Sequence, residues 1–227
     1  HKGLTAVKPL FFIMRLTARL LDFFFHHLYH SLAFAYDWVA WTVSLGRWSE
    51  WTETVIPYVR GTRLLELGHG PGHLQRALLD LGLAAVGLDE SAQMSRLARR
   101  RLHRSDYTQV NLTRGLGQSL PFAAETFDSI VAAFPAPYIA EARTLSEARR
   151  VLRSGGRFIV LFAAWPKNGI LRWVYRVTGE APSEAESLVK KKTADLFQRA
   201  RFDVRIDINE LESGRLLIAV AQKPAEG

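Results

Sequence analysis

The sequence predicts an α/β fold: a doubly wound, mostly parallel seven-stranded sheet with its last strand antiparallel, behind an N-terminal helical extension. Three observations predict it. From residue 62 onward, short apolar runs alternate with amphipathic stretches, which is the pattern of successive β–α units. The last two apolar runs, 202–211 and 214–224, are joined only by Glu212-Ser213-Gly214. So tight a turn pairs strands antiparallel, because a parallel connection needs a crossover. The first 45 residues follow a different, helical period.

In that first region Arg15, Arg19, Asp22, His26 and His30 are spaced four, three, four and four apart, one polar stripe along a helix over 10–31. Phe34, Tyr36, Trp38 and Trp41 mark a second helical stretch over 33–45, and a third lies over 49–58, ended by Pro57. The charged and histidine positions leave no apolar window of about 20 residues, so a spanning helix is not expected. Ala33-Phe34-Ala35 resembles a cleavage site, but the segment before it is too long and too rich in histidine for a signal peptide. The expected division is an extension over 1–59 and an α/β domain over 60–227.

Within the domain, 62–67 (TRLLEL) reads as a buried strand and 72–82 as a helix with a glycine stop. Residues 84–89 (AAVGLD) form the second strand, and 91–104 a helix capped by Ser91. YTQVNL over 107–112 is the third strand, followed by a loop over 113–126. FDSIVAAF over 127–134 is the fourth strand, and 139–152 a helix. Ser154-Gly155-Gly156 then turns the chain into the fifth strand, 156–164, and after an irregular insertion over 165–183 a helix covers 183–200.

Composition narrows the chemistry. The 227 residues contain no cysteine, which removes disulfides and thiolates and fits a reducing, cytoplasmic setting. The net charge of +8 attracts nucleic acid, anionic lipid or acidic substrates without choosing among them. Arg99, Arg100, Arg101 and Arg104, like Lys190, Lys191 and Lys192, read as solvated helix faces. No metal site is expected.

The densest signal is LLELGHGPGHL at 64–74, where Gly68, Gly70 and Gly72 follow a strand and open a helix. In a doubly wound sheet this is where ligands bind. Asp89 closes the second strand, 21 positions after Gly68, where a carboxylate can accept from both hydroxyls of a ribose. A dinucleotide fingerprint needs its third glycine at position 73, which is His73, and no Gly-Lys-Ser/Thr follows.

Taken with ELGHGPG, the later runs GLDESAQM, GQSLPF, FDSIVAAF and EARRVLRSGGRFIV resemble, in order and spacing, the motifs of class I S-adenosylmethionine-dependent methyltransferases, over residues 60–223. The resemblance implies a Rossmann-like sheet and S-adenosylmethionine as cofactor. It implies that Glu66 and the glycines hold the methionine end, with backbone groups of Gly68 and Gly70 close to it. Asp89 then binds the ribose, Glu90 and Met94 flank the adenine, and Gly117 and Gln118 meet its edge. Ala133, at the end of the fourth strand, walls the sulfonium. Many relatives carry Asp where Leu116 stands, so Gln118 or a backbone group takes over that contact here.

Methyl transfer from a sulfonium asks mainly for alignment, with a base only for a protonated acceptor. Three side chains are candidates near the methyl group. His69, inside the glycine loop, faces either the site or solvent. Tyr36, with Asp37, resembles the Tyr-Asp that folds over the cofactor in many small-molecule and lipid relatives; the alternative is helix packing. Tyr138 follows Phe134-Pro135-Ala136-Pro137, a rigid loop expected to line the substrate cleft. Trp165, Trp173 and Tyr175 line an apolar acceptor pocket or anchor a lid.

The expected function is methylation of a small, apolar or lipid-like acceptor. The alternatives are a nucleic-acid methyltransferase, disfavoured because no base-flipping signature is present, and a non-catalytic cofactor-binding or dimerisation module. The broad apolar face of the 10–31 helix on a cationic chain suits the surface of an anionic membrane, as a peripheral protein, or a homodimer interface.

Overall fold

The computed structural model describes residues 47–83, 85–103, 107, 110–166 and 182–225. The predicted helices over 10–31 and 33–45, together with Tyr36, Asp37, Trp173 and Tyr175, lie outside the described residues. Seven strands form one sheet in the order β3-β2-β1-β4-β5-β7-β6. They are β1 (Leu64–Leu67), β2 (Ala85–Asp89), β3 (Asn111–Arg114), β4 (Phe127–Ala133), β5 (Leu152–Pro166), β6 (Asp203–Glu210) and β7 (Gly214–Gln222). The first five run parallel; β7 is antiparallel to both β5 and β6.

Helix α1 (Trp48–Glu53) and a 3-10 turn, Ile56–Tyr58, precede β1. The turn replaces the second half of the helix predicted over 49–58. Pro57 has no N–H to donate, so a continuous helix loses a backbone bond at that point. Helices α2 (His73–Asp80), α3 (Ala92–His103), α4 (Ala142–Val151) and α5 (Pro182–Arg199) alternate with the strands. Crossovers between parallel strands are right-handed, so α2 and α3, on the path from β1 outward to β3, share one face. The path from β4 to β5 runs the other way across the sheet, which puts α4 on the opposite face, and α5 joins it there.

The two faces hold separate cores. Trp51, Val55, Leu74 and Leu78 pack on Leu64, Val131, Ile159 and Ile218 on the α1–α2 side. On the other side Leu145, Ala148, Phe197 and Phe202 pack on Leu65, Ile130, Phe158 and Val160. The strands read as continuous apolar runs because both sheet faces are covered.

Local rules explain most boundaries. Ser91 accepts from Met94 N (3.2 Å), which is the predicted cap of α3. The third strand sits four residues later than predicted: Asn111 pairs with Val86 and Arg114 with Asp89. The propensity of Tyr107 and Val110 yields to the register that β2 imposes. The fifth strand begins earlier, at Leu152, with Ser154-Gly155-Gly156 inside it as an irregularity. Phe127 pairs with Leu152 but Ser129 already pairs with Arg157. Helix α5 ends in a Schellman motif: Phe202 N donates to Phe197 O (3.1 Å) and Arg201 N to Gln198 O (2.9 Å). Arg201 holds φ +61°, the left-handed position that usually belongs to glycine.

Candidate active site

The carboxyl ends of β1, β2 and β4 meet the glycine loop. Gly68, Gly70 and Gly72 adopt φ of +73°, +52° and +83°, which L side chains rarely tolerate. Their roles differ. A Cβ at Gly72 would stand 3.0 Å from that of Ala98, so this glycine lets α2 approach α3. A Cβ at Gly70 would meet nothing within 4 Å, so this backbone borders open space. A Cβ at Gly68 would stand 2.8 Å from the Tyr138 hydroxyl, and one at Gly117 would stand 2.8 Å from the same ring. Tyr138 therefore lies across both loops, against Gly68 on one side and Gly117 on the other.

Asp89 ties the turns together. Its Oδ2 accepts from Gly70 N (2.9 Å) and its Oδ1 from Ser91 N (2.8 Å). It is 6% exposed, and each oxygen keeps a further lone pair. Gly68 N donates to Leu88 O (2.7 Å), which extends the β1–β2 pairing into the loop. Glu90 is exposed at the same strand end.

Beneath the loop lies a polar cluster without full pairing. Glu66 Oε2, His69 Nε2 and Gln75 Nε2 are buried and have no hydrogen-bond partner. The Glu66 carboxyl is pushed up to about 8, chiefly by burial, with the charge on Asp89 acting in the same direction. Burial pushes His69 the other way, below the usual imidazole range, against the opposing pull of Asp89. His69 Nδ1 lies 2.7 Å from Gly70 O. A carbonyl only accepts, so Nδ1 carries the proton and Nε2 is a bare acceptor in the neutral ring.

Of the two settings expected for His69, it takes the cleft: it lines the same concavity as Glu66, Gly68 and Gly70 and does not face solvent. It is 3% exposed, and its ring lies against β2, with Cδ2 3.1 Å from where a Cβ at Gly87 would stand. Met94, expected with Glu90 to flank the adenine, is 0% exposed and so interior in this closed arrangement, while Glu90 is exposed at the strand end. Gln118 spends its amide on Glu141 (3.0 Å), which leaves its carbonyl for the edge of the site. The side chain of Trp165 is outside the described residues.

Besides Pro71, His73 and Leu74 next to the glycines, two cleft residues from the segment before the α/β domain were not foreseen. Trp48 and Thr52, one helical turn apart on α1, line the cleft with Glu66, Gly68, Gly70 and Ala133. Trp48 stacks on Phe134 with centroids 4.5 Å apart, and Phe134 takes φ +48° to end β4. Trp51 Nε1 donates to Ser213 Oγ (2.9 Å), and that ring, 1% exposed, anchors α1. Burying such a side chain is worth roughly 1.5–3 kcal/mol. The signal was present as Trp48-Ser49-Glu50-Trp51-Thr52 just before β1, but nothing in it distinguishes a cleft wall from core.

The cleft has room for about 20 Å³, the space of a single water, with Trp48 on its wall. Its chemistry nevertheless fits S-adenosylmethionine. An unpartnered carboxylate oxygen suits an ammonium, an open glycine backbone permits close approach, and Asp89 retains acceptor capacity for a ribose.

Known proteins agree with this geometry. A methyltransferase-domain family profile matches residues 65–160. The demethylmenaquinone methyltransferase of Symbiobacterium thermophilum is 33% identical over 160 residues, covering 66% of this chain and 63% of that protein. The ubiquinone/menaquinone biosynthesis C-methyltransferase of Geotalea daltonii is 26% identical over 156 residues, covering 65% and 66%. This chain thus spans just under two thirds of the length of these relatives. Among solved structures, an S-adenosylmethionine-dependent methyltransferase from Methanosarcina mazei superposes with a TM-score of 0.57 at 20% identity, covering 76% of this chain and 98% of that one. The chain belongs to the class I S-adenosylmethionine-dependent methyltransferases.

Proposed function

We propose that this chain methylates a quinone-type, apolar acceptor of the kind named for its relatives from Symbiobacterium and Geotalea. The observation that carries the reading is the unpartnered Glu66 carboxyl beneath an open glycine backbone, facing a cleft walled by Trp48 and Ala133. S-adenosylmethionine, when bound, supplies a methyl group on a positively charged sulfur.

The residues supply position. Glu66 holds the ammonium of the methionine end, Gly68 and Gly70 let the backbone approach it, and Gly72 keeps α2 close enough to α3 for the loop to hold its shape. Asp89 accepts from the ribose while its present bonds keep the two turns in register. Glu90, Gly117 and the Gln118 carbonyl border the adenine, and Ala133, with no bulk beyond its Cβ, leaves room for the transferred methyl. Tyr138 moves aside to admit the cofactor, and its hydroxyl then orients an acceptor oxygen. Residues 1–59 serve as a cap over the cleft. The net charge of +8 and the apolar face of the 10–31 segment support work at an anionic membrane surface. Among the described residues no helix is long and apolar enough to cross a membrane.

The test is a labelled-methyl assay on the reduced, demethylated naphthoquinol, with total RNA in parallel. Label is expected in the quinol alone. Label in RNA, or none in the quinol while cofactor product binds, overturns the acceptor assignment.

A further inference from the structure

A concavity of about 450 Å³ opens on the opposite face of the sheet, between α4 and the end of α5, and shares no lining residue with the glycine-loop cleft. Arg149, Arg199 and Arg201 line it over a floor that includes Leu145, Leu196 and Ala200. Among the described residues no carboxylate lines it. Arg149 is oriented from two sides: Nη1 donates to Arg201 O (2.7 Å), and the guanidinium stands 6.0 Å from the Phe202 centroid. Among the described residues the guanidiniums of Arg199 and Arg201 have no ion-pair or hydrogen-bond partner. Three cations lining one concavity repel each other, and an anion between them relieves that repulsion.

The backbone makes a second, independent observation. Arg201 occupies the left-handed position of the Schellman motif at φ +61°, and the flanking rings of Phe197 and Phe202 complete that motif with centroids 6.0 Å apart. Every local rule at this position asks for glycine. An arginine kept there against backbone preference points to work done by its side chain.

We propose that this concavity binds a phosphate-bearing ligand, with the phosphate on Arg149, Arg199 and Arg201 and any organic portion against Leu145 and Leu196. The guanidinium fork matches phosphate oxygens in pairs, and an apolar floor strips water from the contact and strengthens it. The phosphate is either free in solution or the headgroup of an anionic lipid, and the two sources separate by experiment.

The whole chain is titrated calorimetrically with pyrophosphate and, separately, sedimented with vesicles of phosphatidylglycerol or of phosphatidylcholine. Arg199→Ala and Arg201→Gly are compared with Arg100→Ala, which removes the same charge from exposed α3 on the other face. Each cavity variant should weaken binding roughly tenfold, as loss of one charge-assisted bond implies. Arg100→Ala should change it less than about twofold, since its charge lies remote from the concavity. Arg201→Gly should melt no lower than the parent, so loss of binding there is not loss of fold. Saturable pyrophosphate binding identifies a free phosphate; phosphatidylglycerol binding lost in the same variants, without pyrophosphate binding, identifies a headgroup. If neither probe binds saturably near physiological salt, or if Arg100→Ala costs as much as Arg201→Gly, the proposal is overturned.

Discussion

The two edges of the sheet treat buried polar groups in opposite ways. At the amino-terminal edge of the parallel strands they are paired. Ser129, 0% exposed, accepts from Arg60 N (2.9 Å) and donates to Arg60 O (2.7 Å). Lys223, 6% exposed, donates to Leu152 O (2.8 Å) and to Glu125 (3.0 Å). Asp128 accepts from the amides of Thr62 and Arg63 and from Arg153. At the carboxyl edge Glu66, His69 and Gln75 each keep a buried atom without a partner, beside three backbone positions in left-handed conformation. Burying an unsatisfied group costs about 1–3 kcal/mol. Among the described residues the glycine-loop cluster concentrates that cost at the carboxyl edge, where a ligand can repay it.

Substitutions can sharpen that contrast, and Glu66→Gln should have the largest effect. Glu66 is raised from 4.5 to about 8, so the folded chain holds a proton that the unfolded chain has lost over that interval. The stability tied to this group is full below about pH 4.5 and lost as pH rises through about 8. The glutamine variant lacks this loss. It should match the parent in acid and exceed it at pH 9, by on the order of a few kcal/mol in urea unfolding. A cation placed beside Glu66 lowers its pKa, so cofactor binding near pH 7 should release a proton from the parent and not from the variant. Calorimetry in buffers of different ionisation enthalpy reads this directly. Equal proton release by both would remove Glu66 from the cofactor's ammonium.

Asp89→Ala comes next. It orphans two backbone amides and should cost about 2–3 kcal/mol, with binding of S-adenosylhomocysteine at least a hundredfold weaker. Unchanged affinity would mean that Asp89 only braces the turns. Ser129→Ala, on the paired edge, should cost about 1–2 kcal/mol while affinity stays within about twofold. A comparable loss of affinity there would erase the distinction between the edges. The smallest effect belongs to Arg201→Gly, which should leave stability equal or higher by less than about 1 kcal/mol.

The reading from sequence followed the same divide. The paired, apolar body of the fold was legible because strand and helix periods are set by burial, and the antiparallel β6–β7 pair followed from the length of its connection alone. β3 slipped because an edge strand takes its register from its neighbour and carries little pattern of its own. In the cleft, the glycines and Asp89 were legible because backbone conformation restricts residue type. Tyr138 was expected at the cleft and His69 at the cleft or in solvent, and both stand at the glycine loop; which way each side chain turns was not legible, since that depends on contacts far away in the chain. Tyr138 meets Gly68 and Gly117, 70 and 21 positions before it. Trp48 and Thr52 were hidden for the same reason: what makes them a wall is Phe134, brought to them by β4.

The stacking of Trp48 on Phe134 has one practical consequence. With only about 20 Å³ of room in the cleft that Trp48 walls, that wall has to shift before anything the size of a nucleoside enters. An indole that changes neighbours changes its emission, so the enzyme carries its own optical gauge of entry. Titrating the unlabelled chain and a Trp48→Phe variant side by side would isolate that gauge from the other five indoles and time the opening without a dye.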